Sequence, residues 1–529
     1  MAMLAYKQSH DDSLEYFKEL FLKLRNDHYF GRLGKTFSTN ENHYFLDTGT
    51  GKVFKVKRNL YLVLTSLLKN DDFEALSELD LKEDEMIDAL SQIERAVEKE
   101  HILSAPILET MAGEATEDLE NSILKRATSL TLELTEECNL RCKYCIYHPL
   151  HPSYREFGKK HMSWETAKQA IDFLYQHSRN RNEGDILNFG FYGGEPLLNF
   201  EVLESSVTYI KERFNGEEVQ YSLTTNAVLL TSKISDYLVE NGFSIIISLD
   251  GPKELHDENR VFPDETGSFD KVKAGIKNLV QSYVKFNKEP IFAINVVTSN
   301  VDANKKYDMI YDFFKDCDWI PDQVAFLCSG IDEGPHKSHY VLPHSEDEKK
   351  LNTYMGDLIG LWSDIKTKDY TEYETNYSTD TVNQTLIRIH KRFISNKPSS
   401  KYPLNGCCVP GQRKAYVTVN GDILPCERVG TQIPKLGNVH TGFDIKSIKK
   451  YYVDEYIEKS KAYCKNCWAT NLCAICYNNC YDENGISAED KHTLCLNERF
   501  VVEGGLIRYH KMLEKNPKIL EGFNEIELR

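Results

Sequence analysis

The stretch Ser129–Cys145, SLTLELTEECNLRCKYC, decides how this chain is read. SLTLELT predicts a strand, and three cysteines follow it as Cys138-x3-Cys142-x2-Cys145. Three thiolates in one tight loop can ligate three irons of a [4Fe–4S] cube. The fourth iron then has no protein ligand nearby, and a small molecule with an amine and a carboxylate can chelate it. A structural zinc site needs four closed ligands, and this motif alone leaves one missing. The plain alternative is three buried thiols.

Outward from this loop, residues 128–340 alternate between strand and helix patterns. Strand candidates are 129–135, 186–193, 219–226, 244–250, 290–299 and 323–329, with amphipathic helix candidates between them. Six such repeats imply a parallel sheet with right-handed crossovers, open or curled into a partial (β/α)6 barrel of TIM type. Reactive groups then gather at the C-terminal strand ends. There stand Gly193, Gly194 and Glu195 in FYGGEP, Asn226 after the third strand, and Ser248 and Asp250 at the fourth. Two glycines let backbone carbonyls approach a ligand amine, and Glu195 can accept from it. Short polar groups at strand ends suit hydroxyls and a carboxylate. Singly, each could be a strand cap or a turn.

The Cys loop, the Gly-Gly-Glu run and these strand ends resemble the radical S-adenosylmethionine (SAM) superfamily over residues 128–330. The resemblance implies that Cys138, Cys142 and Cys145 hold the catalytic cluster and that SAM chelates its open iron. It implies contacts to SAM from Asn226, Ser248 and Asp250, carboxylate binding by Arg260, and Tyr144 beside adenine. Asn295 and Val297 are expected to line the adenine pocket. The implied chemistry is reductive cleavage of SAM to methionine and a 5′-deoxyadenosyl radical, which abstracts a substrate hydrogen.

Of the 14 cysteines, nine lie between residues 407 and 495. Dense cysteines in a chain without a secretion signal favour metal over disulfides. The order is Cys407-Cys408, Gly421-x4-Cys426, Cys464-x2-Cys467-x5-Cys473-x2-Cys476-x3-Cys480 and Cys495. AYVTVNGDILPC predicts a hairpin turning at Asn420-Gly421, which would bring Cys408 and Cys426 together. The module resembles the SPASM extension of radical SAM enzymes, which implies two auxiliary [4Fe–4S] clusters. By that pattern Cys464, Cys467, Cys473 and Cys495 hold the outer one. Cys408, Cys426 and Cys480 hold the inner one, with Cys476 or Cys407 as a fourth. The usual form shares one cysteine where this chain has both Cys473 and Cys476, so their assignment stays open. A double zinc ribbon is the rival reading. Cys317 and Cys328 read as small buried thiols.

At the N-terminus, Leu14, Phe17, Leu20, Phe21 and Leu24 form one helical face. A hairpin is expected around Asp47-Thr48-Gly49-Thr50-Gly51, and helices after it. Residues 40–103 resemble the winged-helix-like recognition domains of ribosomal-peptide maturases, in which a leader peptide adds as an edge strand. The expected domains are 1–105 (peptide recognition), 106–127 (linker), 128–340 (radical SAM core), 341–405 (helical bridge), 406–500 (SPASM) and 501–529 (C-terminal helix).

The chain has 529 residues, 41% hydrophobic and 27% charged, which fits a multidomain globular protein. Its net charge of −17 excludes a general nucleic-acid binder. No apolar run reaches the roughly 20 residues that cross a bilayer. The opening stretch lacks a basic segment followed by an apolar one, so a cytoplasmic location is expected. The resemblances together imply a maturase that installs a thioether or C–C crosslink in a ribosomally made, leader-bearing peptide, with a small redox protein as electron donor. The alternatives are a formylglycine-type oxidase of a protein Ser or Cys, resembling anaerobic sulfatase maturases, and a non-catalytic zinc adaptor.

Overall fold

The computed structural model describes residues 2–111, 114–125, 127–148, 155–179, 181–182, 184–298, 303–330, 381–399, 402, 404, 408, 410–412, 414–430, 433–476, 480–482, 485–518 and 520–525. Most of the expected bridge at 341–405, and Cys407, lie outside them, as does the side chain of Cys328.

The first module is α1 (Ala2–Arg25), β1 (Gly34–Ser38), β2 (His43–Asp47), β3 (Val53–Val56), α2 (Arg58–Asn70) and α3 (Glu83–Glu100). The strands form an antiparallel sheet in the order β1-β2-β3. Phe17 and Phe21 of α1 are buried with Phe30, Phe45, Leu64, Leu67, Leu90 and Ile93. This is the face that the 3.6-residue period selected. The β2–β3 turn is fixed by Asp47, whose buried carboxylate accepts from the Thr50 N–H and hydroxyl and from the Leu103 N–H, each at 2.7 Å.

The other face of this sheet docks on the C-terminal part of the chain. Phe37, Tyr44 and Leu46 pack with Leu386 and Ile389 and with Val502, Leu506 and Tyr509. The Asn471 amide donates to the Thr48 carbonyl at 2.9 Å, and the Thr48 hydroxyl to the Trp468 carbonyl at 3.1 Å. The recognition-like module therefore touches the loop between Cys467 and Cys473.

In the expected linker lie two short helices, α4 (Glu114–Glu117) and α5 (Leu119–Lys125). The core follows as β4 (Ser129–Thr135), α6 (Trp164–His177), β5 (Leu187–Gly193), α7 (Phe200–Arg213), β6 (Val219–Thr225), α8 (Ser232–Glu240), β7 (Ser244–Ser248), α9 (Lys253–Asn259), α10 (Phe269–Lys285), β8 (Phe292–Thr298), α11 (Ala303–Lys315) and β9 (Ala325–Gly330). β4 to β9 are parallel in sequence order, the expected α/β architecture. β4 is buried along nearly its whole length, as a strand inside a wound sheet must be. Ser163 and Thr231 cap α6 and α8 through their side-chain oxygens.

The sheet continues past β4. β10 (Lys414–Val417) pairs with it in parallel, and β11 (Asp422–Leu424), β12 (Gly437–Asn438) and β13 (Gly442–Phe443) follow. The result is one ten-stranded sheet ordered β13-β12-β11-β10-β4-β5-β6-β7-β8-β9. The expected hairpin turns at Gly421, whose φ of +83° is one glycine adopts without strain.

α12 (Thr381–His390), α13 (Ile445–Ile448) and α14 (Glu455–Cys464) precede a small ribbon of β14 (Tyr481–Asp482) and β15 (Gly485–Ile486). α15 spans Ala488–Lys515, so the last helix begins well before residue 501 and carries Cys495. No helix among the described residues is long and apolar enough to cross a membrane.

Candidate functional site: a cysteine loop at the strand ends

The three cysteines leave β4 in a loop pinned along one edge. The Arg141 N–H donates to the Val261 carbonyl at 2.7 Å, and the Lys143 N–H to the Asn259 carbonyl at 3.0 Å. Cys142 is buried, and Cys138 and Cys145 are half-buried. The thiols stand near enough to raise one another's pKa. Burial and then Cys142 push Cys145 up to about 12. Burial, then the Glu195 carboxylate, pushes Cys138 up as well. A metal that binds here must displace those protons.

Two donors face the sulfurs. The Asn226 amide lies 3.7 Å from Cys138 Sγ and 2.7 Å from Asn139 Oδ1. Arg260 Nη1 lies 3.9 Å from Cys142 Sγ. Hydrogen bonds to sulfur and nearby positive charge are means by which a protein tunes an iron–sulfur cluster.

The Gly-Gly-Glu run sits directly beside the loop. The Gly194 N–H donates to Thr135 O at 2.7 Å and the Glu195 N–H to Glu137 O at 2.8 Å. A Cβ on Gly193 would fall 2.3 Å from Thr135 O, and one on Gly194 would fall 2.2 Å from Glu137 O. The glycines are therefore needed for the contact between two backbones. Glu195 turns inward. It is 1% exposed and accepts from the Thr225 hydroxyl (2.8 Å), the Asn226 N–H (2.9 Å) and the Leu197 N–H (3.1 Å). Burial pushes it up to about 7 against the pull of these donors. Its visible work is to lock the end of β5 to the end of β6.

Asp250 is a second joint. Its carboxylate accepts from Arg260 Nε at 2.9 Å, from the Val297 N–H at 3.0 Å and from the Tyr144 hydroxyl. Arg260 also lies over the Tyr144 ring, 5.2 Å from its centre. This one buried group thus links the Cys loop, the end of β7, the end of α9 and β8. Ser248 is half-buried at the end of β7, where it pairs in register with Asn295. His256 supports Asp250 from behind, accepting its N–H at 3.3 Å and meeting the Ser268 hydroxyl at 3.0 Å.

Four residues here had no counterpart in the sequence reading. Glu133 of β4 is ion-paired with Arg155 at 2.7 Å, both almost fully buried. The Tyr147 hydroxyl (2.9 Å), the Tyr416 hydroxyl (3.0 Å) and the Val419 N–H (3.1 Å) also donate to Glu133. Tyr147 follows Cys145 by two residues, and Tyr416 belongs to β10. The one signal in the sequence was a glutamate inside an apolar strand, which demands a buried cation.

In the Cys-rich module the thiols fall into two neighbourhoods. Cys495 is pushed up to about 11 by burial and then by Cys464, with Cys467 adding to it. Cys473 is raised by burial, then Glu498, with Cys467 also near. Cys426 is pushed up to about 12 by burial, then Glu427, and has Cys476 as its thiol neighbour. Cys473 thus stands with the first set and Cys476 with the second. Cys480 is buried, and Cys408 is exposed. Among the described residues, no three or more His, Cys, Asp or Glu group tightly enough for a single metal ion. A cube spreads its thiolates over four irons, so its ligands stand farther apart.

With this geometry in hand, comparison with known proteins gives a consistent answer. The radical SAM superfamily model matches residues 132–297. The cysteine-type anaerobic sulfatase-maturating enzyme of Clostridium novyi (strain NT) is 26% identical over 370 residues, covering 68% of this chain and 88% of that protein. The serine-type anaerobic sulfatase-maturating enzyme of Bacteroides thetaiotaomicron is 26% identical over 309 residues, 58% of this chain and 70% of that one. A solved structure, native anSMEcpe with bound AdoMet, superposes with a TM-score of 0.53 at 22% identity, covering 75% of this chain and 100% of that one. The chain belongs to the radical SAM superfamily. It is an enzyme of oxidoreductase type, with SAM and iron–sulfur as its cofactors.

Proposed function

We propose that this enzyme oxidises a cysteine or serine side chain of a peptide or protein substrate to the aldehyde, formylglycine. What carries the reading is the coincidence of the three-thiol loop with relatives that span most of the chain and are sulfatase-maturating enzymes of both the cysteine and serine types. This ranks the oxidase above the crosslinking reaction that the N-terminal module first suggested.

In this reading Cys138, Cys142 and Cys145 hold the catalytic cluster. Gly193, Gly194, Asn226, Ser248 and Arg260 border SAM, and Tyr144, Asn295 and Val297 lie on its adenine side. Glu195 and Asp250, both buried and hydrogen-bonded inward, hold the frame. The bound cofactors supply one-electron cleavage of SAM and a hydrogen-abstracting radical. The substrate side chain loses two electrons and two protons in all. Auxiliary clusters are proposed as the acceptor: an outer one on Cys464, Cys467, Cys473 and Cys495, and an inner one that includes Cys426, Cys476 and Cys480. The test is anaerobic incubation of reconstituted enzyme with SAM, a reductant and a sulfatase-type peptide carrying Cys or Ser. A hydrazide-reactive aldehyde is expected; unmodified peptide alongside 5′-deoxyadenosine would overturn the reading.

One observation keeps crosslinking of a leader-bearing peptide as a second reading. β3 pairs only with β2, and among the described residues its other edge pairs with no strand. Such an edge can accept a peptide strand. Protection of the Val53–Val56 amides from hydrogen exchange by a candidate leader peptide would favour it.

A further inference from the structure

Lys491 is a lysine where a lysine should not be. It lies on α15, is 1% exposed, and ranks with phenylalanines and leucines among the largest fully buried side chains. Its ammonium lies 2.8 Å from the Ser460 hydroxyl, 4.0 Å from Cys464 Sγ and 4.4 Å from the centre of the Tyr456 ring. Among the described residues no carboxylate stands within ion-pair distance of it. Glu498, the nearby acid, is paired with Arg388 at 3.2 Å. A hydroxyl dipole and an aromatic face do not offset the cost of stripping water from an ammonium, which is several kcal/mol or more.

The missing negative charge must come from the thiols. Lys491 touches Cys464 and lowers the pKa of both Cys473 and Cys495. We propose that Lys491 is the built-in counter-ion of the outer auxiliary cluster and sets its reduction potential. This rests on the reading that Cys464, Cys467, Cys473 and Cys495 ligate that cluster. Four thiolates around a [4Fe–4S] core give a net negative unit, and adding an electron makes it more negative. A buried cation at contact distance favours the reduced form more than the oxidised one, so it raises the potential. An outer cluster held at a raised potential is suited to receive electrons released by substrate oxidation.

The test uses full-length protein with the catalytic cysteines replaced, so that only auxiliary clusters remain. Iron is counted, and the clusters are titrated by EPR-monitored redox potentiometry. K491M is expected to shift one transition to lower potential and leave the other in place, while K491R keeps both. Loss of one cluster in K491M with retention in K491R also supports a charge role. Unchanged potentials in K491M, or equal cluster loss in both variants, overturn the proposal. Auxiliary iron absent from the parent protein would overturn the ligand reading instead.

Discussion

Glu133 and Arg155 form an ion pair, 2.7 Å between Oε1 and Nη1, inside the wall where the barrel meets the Cys-rich module. Arg155 also donates to the Tyr416 hydroxyl at 2.7 Å and to the Val429 carbonyl at 3.2 Å. Glu133 receives Tyr147 from the Cys loop. One buried pair therefore ties the catalytic loop to the strand that carries the auxiliary module. Replacing Arg155 with methionine leaves Glu133 charged and unpaired, which costs about 3–5 kcal/mol. Thermal unfolding should fall sharply, and the double variant E133Q/R155M should recover part of the loss. Equal stability of R155M and the parent would show the pair to be inessential.

Cys142 is the most buried of the three cysteines in the catalytic loop. C142A should abolish 5′-deoxyadenosine formation and remove about four irons per chain from a total of about twelve. Chromatography of the nucleoside and iron analysis check both. Persistent SAM cleavage in this variant would refute the site.

Gly194 has no room for a methyl group, since its Cβ would meet the Glu137 carbonyl at 2.2 Å. G194A should push the Cys loop away from β5 and weaken SAM binding, measured by equilibrium dialysis on reconstituted protein. Gly504, on α15, has nothing within 4 Å of its Cβ position. G504A should be neutral or stabilising by up to about 1 kcal/mol.

His256 predicts a pH dependence of stability. Burial, and then Arg260, push it down from the usual 6.5 to about 3. Between those values the unfolded chain binds a proton that the folded chain does not, so stability falls as pH drops through that window. It is fully present above about pH 6.5. Equilibrium denaturation at pH 7 and pH 5 should show a steeper acid loss for the parent than for H256Q. Parallel acid limbs would remove His256 as the cause.

The alternation of strand and helix, the Cys138-x3-Cys142-x2-Cys145 loop and the glycines beside it were all legible in the chain itself. They are local: a period of hydrophobicity, a ligand spacing and a turn each lie within a few consecutive residues. The six core strands accordingly fall within a few residues of where the pattern put them. What was not legible depends on partners far apart in the chain. Nothing local says that Lys414–Val417 will extend the barrel sheet at β4, a strand from the far side of the whole core in sequence, because strand pairing is chosen by packing rather than by either strand alone. Nor does spacing divide Cys473 from Cys476; that follows from which thiols the fold brings near each. Glu195, Asp250, Glu133 and Lys491 show the same limit most clearly. The sequence supplies a charge, and only the tertiary structure decides whether that charge meets water, a ligand or a buried counter-charge, since burial and partner geometry set its energy.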